Sequence, residues 1–405
     1  MKVLLLTHRV PYPPNRGDRI RSYHLLKFLA ARAEVSLACT TEEPVPADTR
    51  RYLTSFCEEV AICPTTRYGR AAGAATSLVR GGSATEGHFW SPQLAAVLRG
   101  WRHRAKFDTV ICYCSGMFRY IRDEAFAGIP VVVDLVDVDS RKWLDCASGA
   151  RGPAGWLYRL ESRRVRQLEQ ELVKRSQAIT VVSNVEADLF RELFPDAPVH
   201  TVANGVDLDS CGPTREDNGL DCVFVGALDY FPNVEGVCRF CREVWPQVHA
   251  RFPQARFVIV GRQPAASIRR LAAEPGVHVV GEVPDVRPYL RQARLAVIPL
   301  QIARGIQNKV LEAMAAAKPV IASPQALEGL KVVPGEHVLQ AEMPRDWVAQ
   351  ICALLQDQDE CRRLGDAGRS FVSAHHRWEE CLRPFEQILG MPRQSIPTKL
   401  SPVLS

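Results

Sequence analysis

A chain of 405 residues is too long for one ordinary core and suits two or three domains of about 150 residues each. Its composition, 24% charged and 46% hydrophobic, fits a soluble globular protein; the net charge of +6 admits a basic patch for phosphate or anionic lipid without marking a nucleic-acid binder. Thirteen scattered cysteines argue against a secreted disulfide framework and fit a reducing cytosol, and no apolar run of about 18 residues offers a transmembrane helix.

Short apolar strands alternate with amphipathic helices nearly throughout. Met1-Lys-Val-Leu-Leu-Leu6 is ended too early by His8 and Arg9 for a signal peptide and reads as a buried first strand. Strand candidates follow at Val3–Leu6, Val35–Cys39, Val60–Cys63, Thr109–Cys112, Val131–Asp134 and Ala178–Val182, with helices expected at an open edge over residues 64–105. Asn204-Gly-Val-Asp207 makes a turn-rich crossing before the pattern restarts at Cys222–Val225, Arg256–Val260, Val277–Val280, Leu295–Ile298 and Pro319–Ala322. Helices are expected at Arg345–Leu355, Glu360–Ala374 and Arg377–Leu389. Cys112/Cys114 and Cys238/Cys241 each lack a second pair of metal-spaced ligands and read as structural or inert.

Such alternation implies parallel sheets with right-handed crossovers. The expected architecture is α/β: two facing doubly wound Rossmann-like domains with a cleft between them and a hinge near residues 203–218. The domains are expected at residues 1–203 and 204–376, followed by a closing helix at 377–390 that packs back on the first domain and a loose tail at 391–405. Ligands of such sheets bind outside the carboxyl ends of the strands, so the loops after strands carry the chemistry.

After the first strand, a proline-stiffened loop with Arg9 and Arg16 runs to Gly17 and a helix start. Gly17 is free to take a positive φ and let a ligand approach, and the helix N-terminus favours an anion. The loop reads either as a plain turn with solvated arginines or as a phosphate or acceptor contact. After the fifth strand come Asp134, Asp137 and Asp139, like charges that raise one another's pKa unless cations stand nearby. They read as sugar-hydroxyl or acid–base groups, as helix caps, or as metal ligands. Gly226 precedes Pro232-Asn233 at another helix start, where Tyr230 either stacks on a base or sugar or packs in the core.

Gly305-Ile-Gln-Asn-Lys-Val-Leu-Glu312 is the most informative stretch. Lys309 and Glu312, three apart, share a helical face and form either a surface ion pair or a ligand site. Lysine offers a point charge to phosphate, and a fixed carboxylate accepts two hydrogen bonds from the vicinal hydroxyls of ribose. Glu328-Gly329, after the next strand, gives a further loop whose backbone N–H groups can meet a phosphate.

Taken together, the Gly17 loop, Asn204-Gly-Val-Asp207, Val225-Gly226 with Pro232-Asn233, Gly305…Lys309…Glu312-Ala-Met-Ala, Pro319-Val-Ile-Ala and Glu328-Gly329 resemble the GT-B glycosyltransferases of family 4, the retaining class. The helix around Trp378-Glu379 is similar to the one that crosses back to the N-terminal domain in that fold. Within the family the chain resembles the glycosyltransferases of exosortase (PEP-CTERM) exopolysaccharide clusters, on Arg9-Val-Pro-Tyr-Pro-Pro-Asn-Arg-Gly-Asp18, Asp134-Leu-Val-Asp-Val-Asp-Ser-Arg-Lys-Trp143 and Gly305–Glu312. Two positions depart from the family pattern. Arg304 stands where a Glu-x7-Glu pair has its first acid, and Val136 stands where many members have histidine.

The resemblance implies a bacterial cytoplasmic transferase that builds an extracellular polysaccharide; peripheral contact at the inner face of the plasma membrane is a separate expectation, from the basic clusters below. The donor is a nucleotide-diphosphate sugar and the acceptor lipid-linked or a saccharide, with no nucleic acid, resident cofactor or metal. Donor contacts fall to Gly17, Gly226, Arg304, Gly305, Lys309, Glu312, Glu328 and Gly329. Asp137 and Asp139 take the catalytic places, and Arg9, Arg16 and Asp134 the acceptor side. Two basic clusters, Trp156–Arg166 and Trp101–Lys106, read as solvated faces or as surfaces for anionic lipid. Two other classes stay open: a nucleotide-sugar epimerase of the same architecture, and a non-catalytic nucleotide-binding scaffold of a polysaccharide complex.

Overall fold

The structure, a computed structural model, describes all residues except 150, 151, 211, 213–218 and 393–405. Much of the expected hinge and nearly all of the expected tail therefore lie outside the described residues. The chain divides into two compact units. The first comprises Met1–Val181, Glu186–Val202 and the segment from Leu382; the second comprises Val182–Val185 and Ala203–Cys381.

Seven parallel strands form the sheet of the first unit: β1 (Lys2–Thr7), β2 (Glu34–Thr41), β3 (Glu59–Pro64), β4 (Thr109–Tyr113), β5 (Val131–Val136), β6 (Ala178–Val181) and β7 (Val199–Thr201), in the order β3-β2-β1-β4-β5-β6-β7. Helices cover both faces, so the strands are apolar runs rather than alternating ones, and Leu4, Leu5 and Leu6 are all fully buried. Beyond edge strand β3 the chain makes helices Arg67–Val79, Ala84–His88 and Pro92–Arg104. The side chains of Thr66, Ser83 and Ser91 cap them by accepting from the N–H groups of Gly69, Glu86 and Leu94. β7 has no counterpart in the sequence reading, because three residues are too few to show a period.

The second unit holds β8 (Asp221–Val225), β9 (Arg256–Val260), β10 (Val277–Gly281), β11 (Leu295–Ile298), β12 (Val320–Ala322) and β13 (Leu339–Gln340), all parallel, in the order β10-β9-β8-β11-β12-β13. β13, only two residues long, is likewise invisible to sequence pattern. Both sheets are doubly wound: strand order reverses between β1 and β4 in one and between β8 and β11 in the other. Loops leaving the carboxyl ends there are the expected ligand positions.

Near the C-terminus a single helix over Arg377–Leu389 is replaced by two short ones, Trp378–Leu382 and Pro384–Ile388. Pro384 lacks an N–H and cannot continue the first helix, but suits the first turn of the second. This last segment is built into the first unit. Phe385 is fully buried, and Arg32 Nε donates to Glu386 Oε1 at 2.9 Å with both side chains nearly sealed from water. Asn204-Gly-Val-Asp207 belongs to the second unit, where Val206 N–H donates to His376 O at 2.7 Å and His376 Nδ1 lies 2.9 Å from Asn204 O.

Inside the first unit Arg21 lies beside Asp134, which is 0% exposed. The guanidinium donates to both carboxylate oxygens, at 2.8 and 2.9 Å, and to Val202 O at 2.9 Å; Thr180 Oγ1 donates to Asp134 at 2.8 Å. This cluster ties helix Gly17–Ala30, β5, β6 and the residue that follows β7 together. Replacing Asp134→Asn leaves the buried guanidinium charge uncompensated, and we expect a loss of about 3–5 kcal/mol. Denaturant unfolding checks this; a loss below about 1 kcal/mol would mean that water reaches the pair.

Candidate functional site

In the second unit the loop after β11 turns at Gly305, whose φ of 61° is left-handed, and leads into helix Asn308–Ala315 with Gln307 as its N-cap residue. Lys309 Nζ donates to Asn233 Oδ1 and Gln307 Oε1, both at 3.1 Å, and lies 5.9 Å from the centre of the Phe224 ring. Asn233 Nδ2 donates to Ala227 O at 2.8 Å. Asn233 thus joins the loop after β8 to the lysine after β11, across the point where strand order reverses. Asn204 Nδ2 donates to Asn308 Oδ1 at 3.0 Å and steadies the start of the same helix.

Glu312 stands one turn on. Its carboxylate makes no hydrogen bond or ion pair among the described residues. Lys309 and Glu312 keep some contact with solvent yet are hemmed in by protein, as groups in a recess are. Burial pushes Lys309 down to about 8 against the pull of Glu312, and pushes Glu312 up to about 7 against the pull of Lys309. The two carry opposite charges together only near neutral pH. A phosphate for the ammonium and hydroxyl donors for the carboxylate would supply what the protein leaves unmade.

Other expected donor residues lie around this recess or on neighbouring loops. Gly226 follows β8, and its N–H donates to Val260 O at 3.0 Å. A Cβ on Gly226 would stand 3.0 Å from Asn233 Nδ2, so a side chain there would press on the residue that holds Lys309. Arg304 immediately precedes Gly305, and its carbonyl accepts from Gln307 Nε2 at 2.9 Å. Glu328 is exposed, Gly329 has a φ of 81°, and both line a hollow of about 480 Å³ together with Gln325, Leu327 and Gln340. Tyr230 and Phe231 are both exposed, which sets aside core packing for Tyr230.

In the first unit β5 ends at Val136 with a φ of 72°. A β-branched residue in that region is an outlier, and such strain gathers at functional loops. Beyond it the backbone is fixed by acids: Val138 N–H donates to Glu186 at 2.7 Å and Ser140 N–H to Glu169 at 2.9 Å. Asp139 accepts from Ser115 Oγ at 2.7 Å. The Asp137 carboxylate has no hydrogen bond or ion pair among the described residues. Burial, joined by Glu186 and Asp139 and opposed by Lys142, pushes it up to about 7. Among the described residues no three His, Cys, Asp or Glu side chains gather as metal ligands.

Four sequence readings change. Asp134, expected at the acceptor, is sealed in the core by Arg21 and Thr180, because a strand interior covered on both faces tolerates a carboxylate only when it is paired. Gly17 is the exposed first residue of helix Gly17–Ala30 and is not among the positive-φ glycines, so no left-handed turn operates there. Arg9 and Arg16 both pair with Asp18, and Arg9 also approaches Glu42 at 3.5 Å. Trp101 is 5% exposed and belongs to the core, which removes the apolar half of its proposed lipid surface. Sequence reasoning misses Asn233 and Gln307 as the partners of Lys309. Pro232-Asn233 is visible as a motif, but nothing in it tells of a lysine 76 positions away.

Residues 16–205 match a family described as the glycosyl transferase 4-like domain, and residues 219–357 one described as glycosyl transferases group 1. No curated protein matches. Among solved structures, sucrose-phosphate synthase from Thermosynechococcus elongatus is 16% identical over 96% of this chain and 98% of its own, with a TM-score of 0.71. Anabaena HepE in complex with UDP and glucose is 14% identical over 96% and 99%, with a TM-score of 0.68. WaaG, a glycosyltransferase involved in lipopolysaccharide biosynthesis, is 14% identical over 96% and 100%, with a TM-score of 0.64. At such identities the likeness is one of fold: two parallel-sheet α/β Rossmann-like domains, as in the GT-B glycosyltransferases.

Glu312 also has a stability signature. Its pKa in the folded protein, about 7, exceeds its ordinary value of 4.5, so the folded state binds more protons than the unfolded one between those pH values. Stability therefore falls as pH rises through that window. We expect Glu312→Gln to be more stable than the parent at pH 8, by about 1–3 kcal/mol, and the gap to close toward pH 4. Urea unfolding at several pH values measures it; a gap independent of pH would contradict the assignment.

Proposed function

We propose that this chain, which carries the two domains of a group 1 glycosyltransferase, moves a sugar from a nucleotide-diphosphate sugar to a hydroxyl of a lipid-linked or saccharide acceptor. The anomeric configuration is retained, and the product enters an exopolysaccharide. The observation that carries the donor side is the Lys309–Glu312 arrangement: an ammonium resting on two neutral amide oxygens, and an unpartnered carboxylate one turn on, at a helix start behind a left-handed glycine. Lys309 meets the diphosphate and Glu312 the ribose. Arg304 and the N–H groups at the start of Asn308–Ala315 share the diphosphate charge. The backbone at Gly226 and Gly329 leaves room for a close approach. HepE, of the same fold, was solved with UDP and glucose, which supports a nucleotide-sugar donor.

Negative charge grows on the diphosphate as the sugar leaves, and fixed cations in a sheltered recess stabilise it more than water would. On this reading Lys309 and Arg304 do that work without a metal. Asp137, titrating near neutrality, handles a proton at the acceptor hydroxyl, and Asp139, held by Ser115, lines the sugar and acceptor side.

A thermal-shift panel of nucleotide sugars finds the donor, after which the variants become informative. We expect Glu312→Ala to lower kcat/KM by about 10–100-fold, the worth of one or two hydrogen bonds to a charged group. Asp137→Asn should lower kcat with donor affinity unchanged. kcat/KM should fall below about pH 7 as Glu312 takes up its proton, and above about pH 8 as Lys309 loses its own. EDTA should change nothing, and product NMR should show the donor's anomer. Unaltered turnover in Glu312→Ala would end this assignment. Conversion of the donor without any acceptor would instead mark an epimerase, and tight donor binding without transfer would mark a scaffold.

The same reading places the enzyme in the cytoplasm, against the inner face of the plasma membrane. On helix Pro153–Arg175, Trp156 is 64% and Leu157 44% exposed, beside exposed Arg159 and Arg163. No helix among the described residues is long and apolar enough to cross a membrane. Apolar side chains ringed by arginine suit the interface of an anionic bilayer. Flotation with phosphatidylglycerol vesicles at low salt should recover the protein, and Trp156→Ala together with Arg159→Ala should release most of it. Parent protein that stays at the bottom of the gradient would remove the membrane contact.

A further inference from the structure

A second cluster sits where the first sheet reverses its order. β1 and β4 lie side by side there, with Thr7 in register with Tyr113, so His8 and Cys114 leave the sheet next to each other. Cys114 has φ 73° and ψ 157°, a conformation almost confined to glycine, and a 3-10 helix, Ser115–Ile121, begins at once behind it. A strand-to-helix turn with strained backbone is the device by which other proteins hold a nucleophile clear of the chain. Cys114 keeps partial exposure.

His8 is 9% exposed and firmly held. Its ring stacks on Tyr113 with centroids 5.7 Å apart, tilts against Phe89 at 4.8 Å, and its carbonyl accepts from Thr40 Oγ1 at 2.8 Å. Nε2 lies 3.2 Å from Asp18 Oδ2. Asp18 is kept anionic although burial opposes it, by His8 and then by Arg9 and Arg16. Nδ1 is buried and makes no hydrogen bond of ordinary geometry among the described residues, and Cys114 lies close enough to act on the ring. Burial by itself would strip the ring of its proton. Cys114 and Asp18 together overcome this and push the pKa up to about 9.

We propose that Cys114, His8 and Asp18 form a thiol-modification site that takes low-molecular-weight disulfides and soft electrophiles. The Cys114 sulfur attacks one sulfur of the disulfide. A new S–S bond joins Cys114 to that half, the original S–S bond breaks, and its electron pair leaves on the other half, which takes up the proton that Cys114 gave. The buried His8 ring stands beside the attacking sulfur, and the Asp18 carboxylate behind the ring holds it in place and charged. The site stands apart from the transferase reading, since it is read from the thiol itself.

The experiment uses the reduced full chain at pH 7, with glutathione disulfide and, separately, iodoacetamide as probes. Peptide mass spectrometry follows each cysteine. Cys146 and Cys238, also partly exposed, serve as internal references. Cys114 should react about ten-fold faster than either, and His8→Gln and Asp18→Asn should each bring it close to the references. If His8→Gln also makes buried Cys112 reactive, that variant has lost its fold, and Asp18→Asn, whose carboxylate is partly exposed, then decides. Cys114 reacting no faster than Cys146 and Cys238, or keeping its speed in a folded Asp18→Asn variant, overturns the proposal.

Discussion

Covering both faces of a parallel sheet leaves its carboxyl edge as the place where charged side chains, open backbone groups and water meet. Both units of this chain obey that constraint. Their strands are nearly pure apolar runs, so the ionisable groups are pushed to the loops beyond β1, β4, β5, β8 and β11. A charge in such a loop is only partly hydrated, and its state depends on whether the protein supplies a counter-charge.

Asp134 and Asp137, three residues apart, show both outcomes. Asp134 still belongs to β5 and is saturated by Arg21 and Thr180, so it acts as a structural anchor. Asp137 lies past the left-handed turn at Val136, has no such partner, and is driven toward neutrality near physiological pH. Glu312 repeats the second outcome in the other unit. An acid left short of partners is unfavourable for the fold and suited to binding or proton handling; Asp137 lies on a loop that the topology marks for ligands, and Glu312 in the first turns of the helix behind another.

Much of this is legible in the sequence for physical reasons. Uninterrupted Val, Ile and Leu runs announce the longer strands, and their spacing announces the crossovers. β7 and β13 are not visible, because two or three residues paired at a sheet edge leave no periodic trace. Pro384 stands in the sequence, yet the amphipathic pattern on either side of it suggests one helix instead of two. The pairing of Lys309 with Asn233, the merging of Arg9, Arg16 and His8 on Asp18, and the burial of Trp101 are all tertiary facts. Local pattern reports which residue types are available, and the fold decides which of them neutralise one another.

The Arg32–Glu386 pair and the buried Phe385 have a consequence for how the molecule is made. The first unit takes a late piece of the chain, from Leu382 on, whereas the second unit, among the described residues, ends at Cys381. On the ribosome the amino-terminal sheet must wait, with part of its apolar surface open, until Leu382–Ile388 has emerged. The half that begins first is finished last, so a nascent chain halted before Leu382 would carry a complete second unit and an unfinished first one.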